Sequence, residues 1–208
     1  MARNRRCQTR WFEASSSRSS AMPAEPKYLK GHCLIDSGDL TGSFFARSAV
    51  LICQHDGAGA FGLVLNRPME RCIGDIVPTI LPEALITAPL FVGGPVQPSA
   101  LSYLYADPFV SAANVMANLT LGHELDQLIA LAEAAVPSAQ WRVFAGYAGW
   151  SAGQLEDELR RHAWLTFPAS VELIFDTPVD QLWPTILRRV GGWKNILHST
   201  MPEDPSLN

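Results

Sequence analysis

The clearest hydrophobic pattern in the chain is a pair of apolar runs separated by a short polar segment. The runs cover Ala49–Cys53 and Ala60–Asn66, and Asp56-Gly57-Ala58-Gly59 lies between them. Apolar runs of this length on either side of an Asp-Gly turn are typical of adjacent strands. The pattern therefore predicts a β-hairpin whose two strands are buried on both faces.

Shorter apolar segments with β-branched residues predict further strands. These candidates are Leu90–Val92, Ser102–Tyr105, Val115–Leu121, Arg142–Gly146, Ala163–Phe167 and Val171–Phe175. A short helix is predicted over Gly74–Ile80, where a proline two residues later ends it.

Three segments have the apolar spacing or the terminal residues of longer helices. Residues 125–132 carry apolar side chains three and four positions apart. A second helix is predicted from Ser151, because Gln154 three residues later completes a capping-box pattern. A third begins at Thr177, which a proline follows, as is typical of a first helical turn. Its apolar stripe consists of Leu182, Trp183, Ile186 and Leu187.

The irregular order of strands and helices predicts a mixed α+β domain rather than a doubly wound parallel sheet. We expect one domain over residues 28–197 and a flexible tail over residues 198–208. Residues 1–27, rich in arginine and serine, are expected to be disordered or an incorrectly assigned extension. If the chain starts at Met1, this segment resembles an organellar transit peptide; a start at Met22 removes most of it.

Charge is distributed unevenly along the chain. Residues 1–30 contain seven basic and two acidic side chains, whereas residues 31–208 contain nine basic and eighteen acidic ones. An acidic body repels phosphates, so we expect no direct nucleic-acid binding. No apolar run reaches the ~18 residues that span a bilayer, so no membrane insertion is expected. The four cysteines lack CxxC or Cys/His spacing, which predicts no structural metal site. Residues 1–27 lack the apolar region of a secretory signal, so we expect a cytoplasmic protein with reduced thiols. No cofactor is expected.

Several polar or small residues are candidates for binding a ligand or a partner. Arg67, and in the same way Arg47, can clamp a carboxylate or phosphate. Alternatively, each satisfies backbone carbonyls or pairs with an acidic side chain of the chain. Asn66 precedes Arg67 at the end of the second hairpin strand. Gly93 and Gly94 allow close approach of a backbone or a ligand, although a simple turn is the alternative.

The segment around Trp150 supplies the remaining binding candidates. Trp150 is flanked by glycine and small residues and is predicted to be the most exposed tryptophan. Gly153 and Gln154 open the second helix, where free N–H groups form a latent anion site. The acidic trio Glu156–Glu158 opposes a free anion there and is predicted to be a solvated face.

A thiol site is the third possibility. Cys53 and His55 are two positions apart, so on a regular strand they share a face. A thiolate beside a histidine can act as a nucleophile or a redox group. The alternative is that Cys53 is a buried apolar residue and His55 begins the turn.

Four segments in this order resemble the YqgE/AlgH family. They are Phe45-Ala46-Arg47-Ser48-Ala49-Val50-Leu51, Gly62-Leu63-Val64-Leu65-Asn66-Arg67-Pro68, Gly93-Gly94-Pro95-Val96-Gln97-Pro98 and Gly146-Tyr147-Ala148-Gly149-Trp150-Ser151-Ala152-Gly153-Gln154-Leu155-Glu156-Asp157-Glu158-Leu159. The resemblance implies a bifurcated sheet that includes a small closed barrel and is surrounded by helices. It implies no established enzymatic activity, and some members carry a transcriptional-regulator label.

These observations leave three functional hypotheses. The preferred one is a non-catalytic cytoplasmic protein that regulates through a protein partner rather than by direct DNA contact. The second is a small-ligand or anion-binding module, in which Arg67, Gly93, Gly94 and Trp150 converge on one pocket. The third is an enzyme that uses Cys53 and His55.

Overall fold

The computed structural model describes residues 28–37, 40, 42–108, 113–134, 136 and 139–190. The predictions for residues 1–27 and for the tail over residues 198–208 lie outside the described residues. Among the described helices, none combines the length and the hydropathy that a membrane span requires.

Nine strands and five short α-helices make up the described part of the chain. The strands are β1 (His32–Asp36), β2 (Ala49–Asp56), β3 (Gly59–Val64), β4 (Pro68–Cys72), β5 (Pro89–Val92), β6 (Val96–Ala106), β7 (Leu119–Gly122), β8 (Gln140–Ser151) and β9 (Trp164–Pro168). The helices are α1 (Glu83–Ile86), α2 (Leu125–Glu133), α3 (Gln154–Arg160), α4 (Val171–Phe175) and α5 (Val179–Val190). The α+β class predicted from the sequence is therefore confirmed.

The long strand β8 is the point at which the sheet branches. Its first half pairs in parallel with β5 and antiparallel with β6, whereas its second half pairs antiparallel with β3. The change of neighbours coincides with Gly146, whose φ of +71° bends the strand in a way that a side chain disfavours. The main path through the sheet runs β4-β5-β8-β3-β2-β1-β9, and β6 and β7 form the branch.

The small closed barrel implied by the family resemblance is wrong for this chain. Closure requires the terminal strands of a sheet to pair with each other. Within the described residues, β4 pairs only with β5, β7 only with β6, and β9 only with β1. The sheet branches at β8 instead of curling shut, and three strand edges remain.

Most elements of the sequence-based prediction are present, with instructive exceptions. The β2–β3 hairpin, the helix over residues 125–132 and the apolar stripe of α5 are confirmed. The strand predicted over Val171–Phe175 is helix α4, because the Ser170 hydroxyl accepts the Leu173 N–H (3.1 Å) and caps a helical turn. Of the helix predicted over Gly74–Ile80, only a 3-10 turn at Ile73–Asp75 forms.

Three apolar clusters surround the branched sheet. The largest packs helices α4 and α5 against one face of β1, β2 and β3, and it contains Phe91 and Phe144. A second lies on the opposite face of these strands beneath α3. A third places α1 and α2 against β5, β6 and the first half of β8. The two halves of β8 therefore serve different clusters, and each half borders a separate cleft.

Candidate functional site

The residues predicted at the end of the hairpin brace the loop before β2. The Asn66 side chain donates to the Arg47 carbonyl (2.9 Å) and accepts the Ala49 N–H (2.9 Å). Arg67 donates to the Ala46 carbonyl (3.0 Å), and its guanidinium carbon lies 4.8 Å from the Phe44 ring centre. Burial lowers the pKa of Arg67 from its ordinary value. The alternative prediction, an arginine that satisfies backbone carbonyls, describes Arg67 correctly.

Arg47 belongs to the same brace. Its backbone has a φ of +53°, an unusual value for a residue other than glycine. The Asp36 carboxylate accepts the Arg47 N–H (2.9 Å) and so holds this turn. The side chain is exposed, and its guanidinium carbon lies 6.0 Å from the Trp183 ring centre.

Gly93 and Gly94 lie where backbones approach most closely. The Gly93 carbonyl accepts the Val64 N–H and the Gly93 N–H binds the Ala145 carbonyl, both at 2.8 Å. A Cβ atom at Gly94 would collide with the backbone of Tyr147, and one at Gly93 would collide with the Gly146 carbonyl. Both glycines are therefore required for packing at the branch of the sheet.

Cys53 and His55 do not share a face, contrary to the prediction from strand alternation. The pairing of β2 with β3 shifts register between Ile52 and Gln54, which marks a β-bulge at Cys53. The extra residue reverses the alternation beyond it. Cys53 consequently belongs to the large cluster beneath α4 and α5, whereas His55 packs toward α3.

The surroundings of each residue follow from this separation. Cys53 has no exposed surface, and burial, with a smaller contribution from Cys33, raises the pKa of its thiol. Nδ1 of His55 accepts the Leu29 N–H (2.9 Å), so the neutral ring carries its proton on Nε2, which lies 3.2 Å from Glu156. The pair is not a thiolate–imidazole site, because its members face different clusters.

A cleft of about 420 Å³ lies between α3 and the loop after β1. Three aromatic rings, those of Phe45, Trp150 and Trp164, form its wall, with centres 5.6 to 6.3 Å apart. The other lining residues are Leu40, Ser43, Gly149, Gln154, Glu158, Arg161 and Ala163. We call this the aromatic cleft. Its volume is in the range of small-molecule and side-chain pockets.

Glu158 fixes the wall of the aromatic cleft. One of its carboxylate oxygens accepts the indole N–H groups of Trp150 (2.9 Å) and Trp164 (2.7 Å), and the other accepts the Gln154 amide (3.0 Å). Two predictions are therefore wrong. Trp150 is only 7% exposed, because its indole is anchored, and Glu158 is not part of a solvated acidic face.

The other two acidic residues of the trio also have separate partners. Glu156 faces His55, and Asp157 pairs with Arg160 on the helix surface. At the start of the helix the Gln154 side chain accepts the Ser151 N–H (3.1 Å), which is half of the predicted capping box. Gly153, with a φ of +77°, takes the N-cap position.

The predicted binding residues do not converge on one pocket. Of the set, Trp150 and Gln154 line the aromatic cleft. Arg67 approaches the cleft only through Phe44, whose ring centre is 5.1 Å from that of Phe45. Gly93 and Gly94 are enclosed by backbone. Phe45, Trp164 and Glu158 were not predicted; the one available signal was the high density of aromatic residues around the helix.

A second cleft, of about 410 Å³, lies beside the first half of β8 and contains the buried Arg142. Sequence reasoning treated Arg142 only as the start of a strand. The signal that could have identified it is a lone charge between Trp141 and Val143 in a chain with only 17% charged residues. Among the described residues, no group of three His, Cys, Asp or Glu side chains could hold a metal ion.

The fold and its clefts define a class of protein: an α+β domain on a branched mixed sheet, with ligand-sized clefts at both halves of the branching strand. The chain belongs to the AlgH-like family, whose sequence profile matches residues 33–195. A UPF0301 protein of Shewanella denitrificans is 40% identical over 169 residues, covering 78% of this chain and 91% of the relative. One of Chlorobaculum parvum is 37% identical over 192 residues, covering 90% and 100%.

Solved structures show the same fold. The AlgH protein of Pseudomonas aeruginosa superimposes with a TM-score of 0.68 at 29% identity, covering 88% of this chain and 99% of that one. A protein of Corynebacterium diphtheriae gives a TM-score of 0.66 at 23% identity, over 85% of this chain and 93% of the other, and shows the fold alone.

Proposed function

We propose that this chain is a non-catalytic cytoplasmic protein that acts by binding a partner protein, and that the aromatic cleft receives an apolar side chain of that partner. The observation that carries the proposal is the preformed wall of Phe45, Trp150 and Trp164, which Glu158 anchors from behind. Anchors of this kind typically dominate the energy of a protein interface.

The composition of the cleft favours an apolar occupant. Glu158 already accepts three hydrogen bonds, so its oxygens have little capacity left for a ligand. Leu40, Ala163 and the aromatic rings supply the remaining contact surface. Arg161 is exposed at the edge and offers a charge to the rim of a partner surface.

The regulatory role in this proposal acts through the partner protein rather than through DNA. The acidic excess of residues 31–208 opposes contact with DNA phosphates. A mobility-shift titration of the full chain at several salt concentrations tests this part. Tight, sequence-specific and salt-dependent binding would contradict it.

The partner site is tested by photo-crosslinking in cells from the edge of the cleft. p-Benzoylphenylalanine placed at Arg161 is expected to crosslink a discrete protein, and the same group at the exposed Ser99, outside the cleft lining, is not. Ser43→Trp fills the cleft from an exposed position and should reduce the crosslink several-fold, whereas Ser99→Trp should not. Equal crosslinking from both positions, or no effect of Ser43→Trp, would show that the cleft is not the partner site.

A further inference from the structure

Arg142 is a buried cation with an incomplete set of partners. It lies in the first half of β8 and is 9% exposed. One guanidinium nitrogen, Nη1, donates to the Leu65 carbonyl (3.1 Å). The guanidinium carbon lies 4.7 Å from the ring centre of Phe91 and 5.7 Å from that of Phe175. Two aromatic rings and one carbonyl therefore position the group.

No acidic side chain of the described residues lies within ion-pair distance of Arg142. A guanidinium has five N–H donors, and one hydrogen bond leaves most of them unused. Each guanidinium nitrogen of Arg142 has either a hydrogen-bond partner or some accessible surface, and the residue lines the cleft. Burial lowers the pKa of Arg142 to about 10, as expected for a cation without a counter-charge.

Apart from Arg142, seven of the eight residues that line the cleft are apolar. Its apolar lining residues are Ala88, Pro89, Phe91, Trp141, Val143, Phe175 and Val179. Gln140 is the other polar lining residue, and its amide donates to Asp176 (3.1 Å). The site thus combines one cation at its base with hydrophobic walls and a volume of about 410 Å³.

We propose that this cleft binds an organic carboxylate, whose carboxylate group takes the free N–H donors of Arg142 and whose apolar body lies against Phe175, Val179 and Trp141. A planar guanidinium matches a carboxylate with two parallel hydrogen bonds. An uncompensated buried charge is costly, and a bound anion removes that cost. Ligand sites in proteins typically have this combination of apolar walls and a single orienting polar group.

The surroundings favour a monoanionic carboxylate over a phosphate group. Among the residues lining the cleft, Arg142 is the one cation, so a dianion would remain undercompensated. The carboxylate of Asp176, which accepts the amide of the lining residue Gln140, adds a negative charge beside the cleft. An apolar body also gains from the hydrophobic walls, which inorganic phosphate cannot use.

The experiment measures binding to the full chain by calorimetry and follows the arginine Nε–H signals by NMR. The probes are 4-phenylbutyrate, its uncharged amide 4-phenylbutanamide, and inorganic phosphate. Phenylbutyrate should bind at least about tenfold more tightly than the amide or phosphate, because charged hydrogen bonds contribute more than 1.4 kcal/mol. It should shift the Arg142 signal, and Arg142→Met should lose at least about tenfold in affinity. The matched control Arg71→Met, at an exposed arginine that lines neither cleft, should retain wild-type affinity.

A second variant keeps the test decisive if Arg142→Met folds poorly. Val179→Trp fills the cleft and leaves the arginine in place, and it should reduce phenylbutyrate affinity to a similar extent. The proposal would be overturned if the amide or phosphate bound as tightly as phenylbutyrate. It would also be overturned if Val179→Trp bound phenylbutyrate with wild-type affinity. This site is separate from the aromatic cleft, so either proposal can fail without the other.

Discussion

Each of the two clefts contains a charged side chain that is largely removed from water, and the two charges are partnered differently. At the aromatic cleft, Glu158 accepts hydrogen bonds from Trp150, Trp164 and Gln154. At the second cleft, Arg142 donates one hydrogen bond to a backbone carbonyl and otherwise faces aromatic rings. The carboxylate is saturated by the protein, and the guanidinium is not.

This difference separates a structural charge from one that remains available. A saturated carboxylate fixes the groups that it binds, so the aromatic cleft has a rigid wall and offers mainly shape and apolar surface. An unsaturated guanidinium holds donors in a defined orientation that a ligand can use. The two halves of β8 therefore border clefts whose charged side chains are partnered differently, and the following substitutions test the distinction.

The largest effect is expected from Glu158→Leu. This change leaves two buried indole N–H groups without an acceptor, and each unsatisfied donor costs about 1–3 kcal/mol. We expect the free energy of unfolding, measured by urea denaturation, to fall by roughly 2–4 kcal/mol. The indole N–H signals of Trp150 and Trp164 should also move in the NMR spectrum.

The neighbouring Asp157 provides the matched control. It pairs with Arg160 on the exposed surface of α3, where ion pairs contribute little. Asp157→Asn should change the free energy of unfolding by less than about 0.5 kcal/mol. Similar losses from Glu158→Leu and Asp157→Asn would refute the view that Glu158 holds the wall.

A smaller effect on stability is expected when the pH is raised. It comes from Cys33 and Cys53, two buried thiols in the cluster that also contains Phe91. Burial raises the pKa of Cys33 to about 12 from the ordinary value of 9.0, and that of Cys53 is raised as well. Because the folded state keeps these protons when the unfolded state releases them, stability is highest below pH 9 and falls as the pH rises above it. Between pH 9 and 10, each thiol should lower the free energy of unfolding by at most about 1.4 kcal/mol.

The comparison of wild type with Cys53→Val isolates this contribution. Denaturation at pH 8, 9 and 10 should show a shallower decline for the variant, while its absolute stability can differ for packing reasons. Iodoacetamide at neutral pH should label Cys53 only through unfolding. A parallel pH dependence in the two proteins, or rapid labelling of Cys53, would restore the thiol-site hypothesis.

The sequence was sufficient where local signals decide the structure. The Asp-Gly turn predicted the β2–β3 hairpin, and the spacing of apolar residues predicted α2 and α5. The sequence was insufficient where a helix cap or a long-range contact decides the structure. The β-branched run of α4 has strand propensity, yet Ser170 caps a helix there. The predicted strand ends at Gly146, yet β8 continues to Ser151 and its second half pairs with β3.

The candidate sites were harder to predict for a related reason. The spacing of Cys53 and His55 predicted that both side chains lie on one face of β2. A β-bulge at Cys53 places them on different faces, and no local sequence pattern predicts that bulge. Arg47, Asn66 and Arg67 were each proposed as binding residues, but their contacts brace the loop beside them. Arg142 can be recognised as a candidate site residue only in the folded structure, where Phe175, 33 positions later in the chain, packs against it.

Apart from the surface control at Asp157, the smallest effect on stability is expected from Arg142→Met, and it gives the sharpest contrast with Glu158→Leu. Methionine keeps the length of the apolar stem and can contact the rings of Phe91 and Phe175 through its sulfur. The lost hydrogen bond and cation–π contacts are offset because a buried, uncompensated charge disappears. We expect the free energy of unfolding to stay within about 1 kcal/mol of wild type in urea denaturation. A loss as large as that of Glu158→Leu would mean that Arg142, like Glu158, is a structural charge, and that its unused donors are not the feature that distinguishes the two clefts.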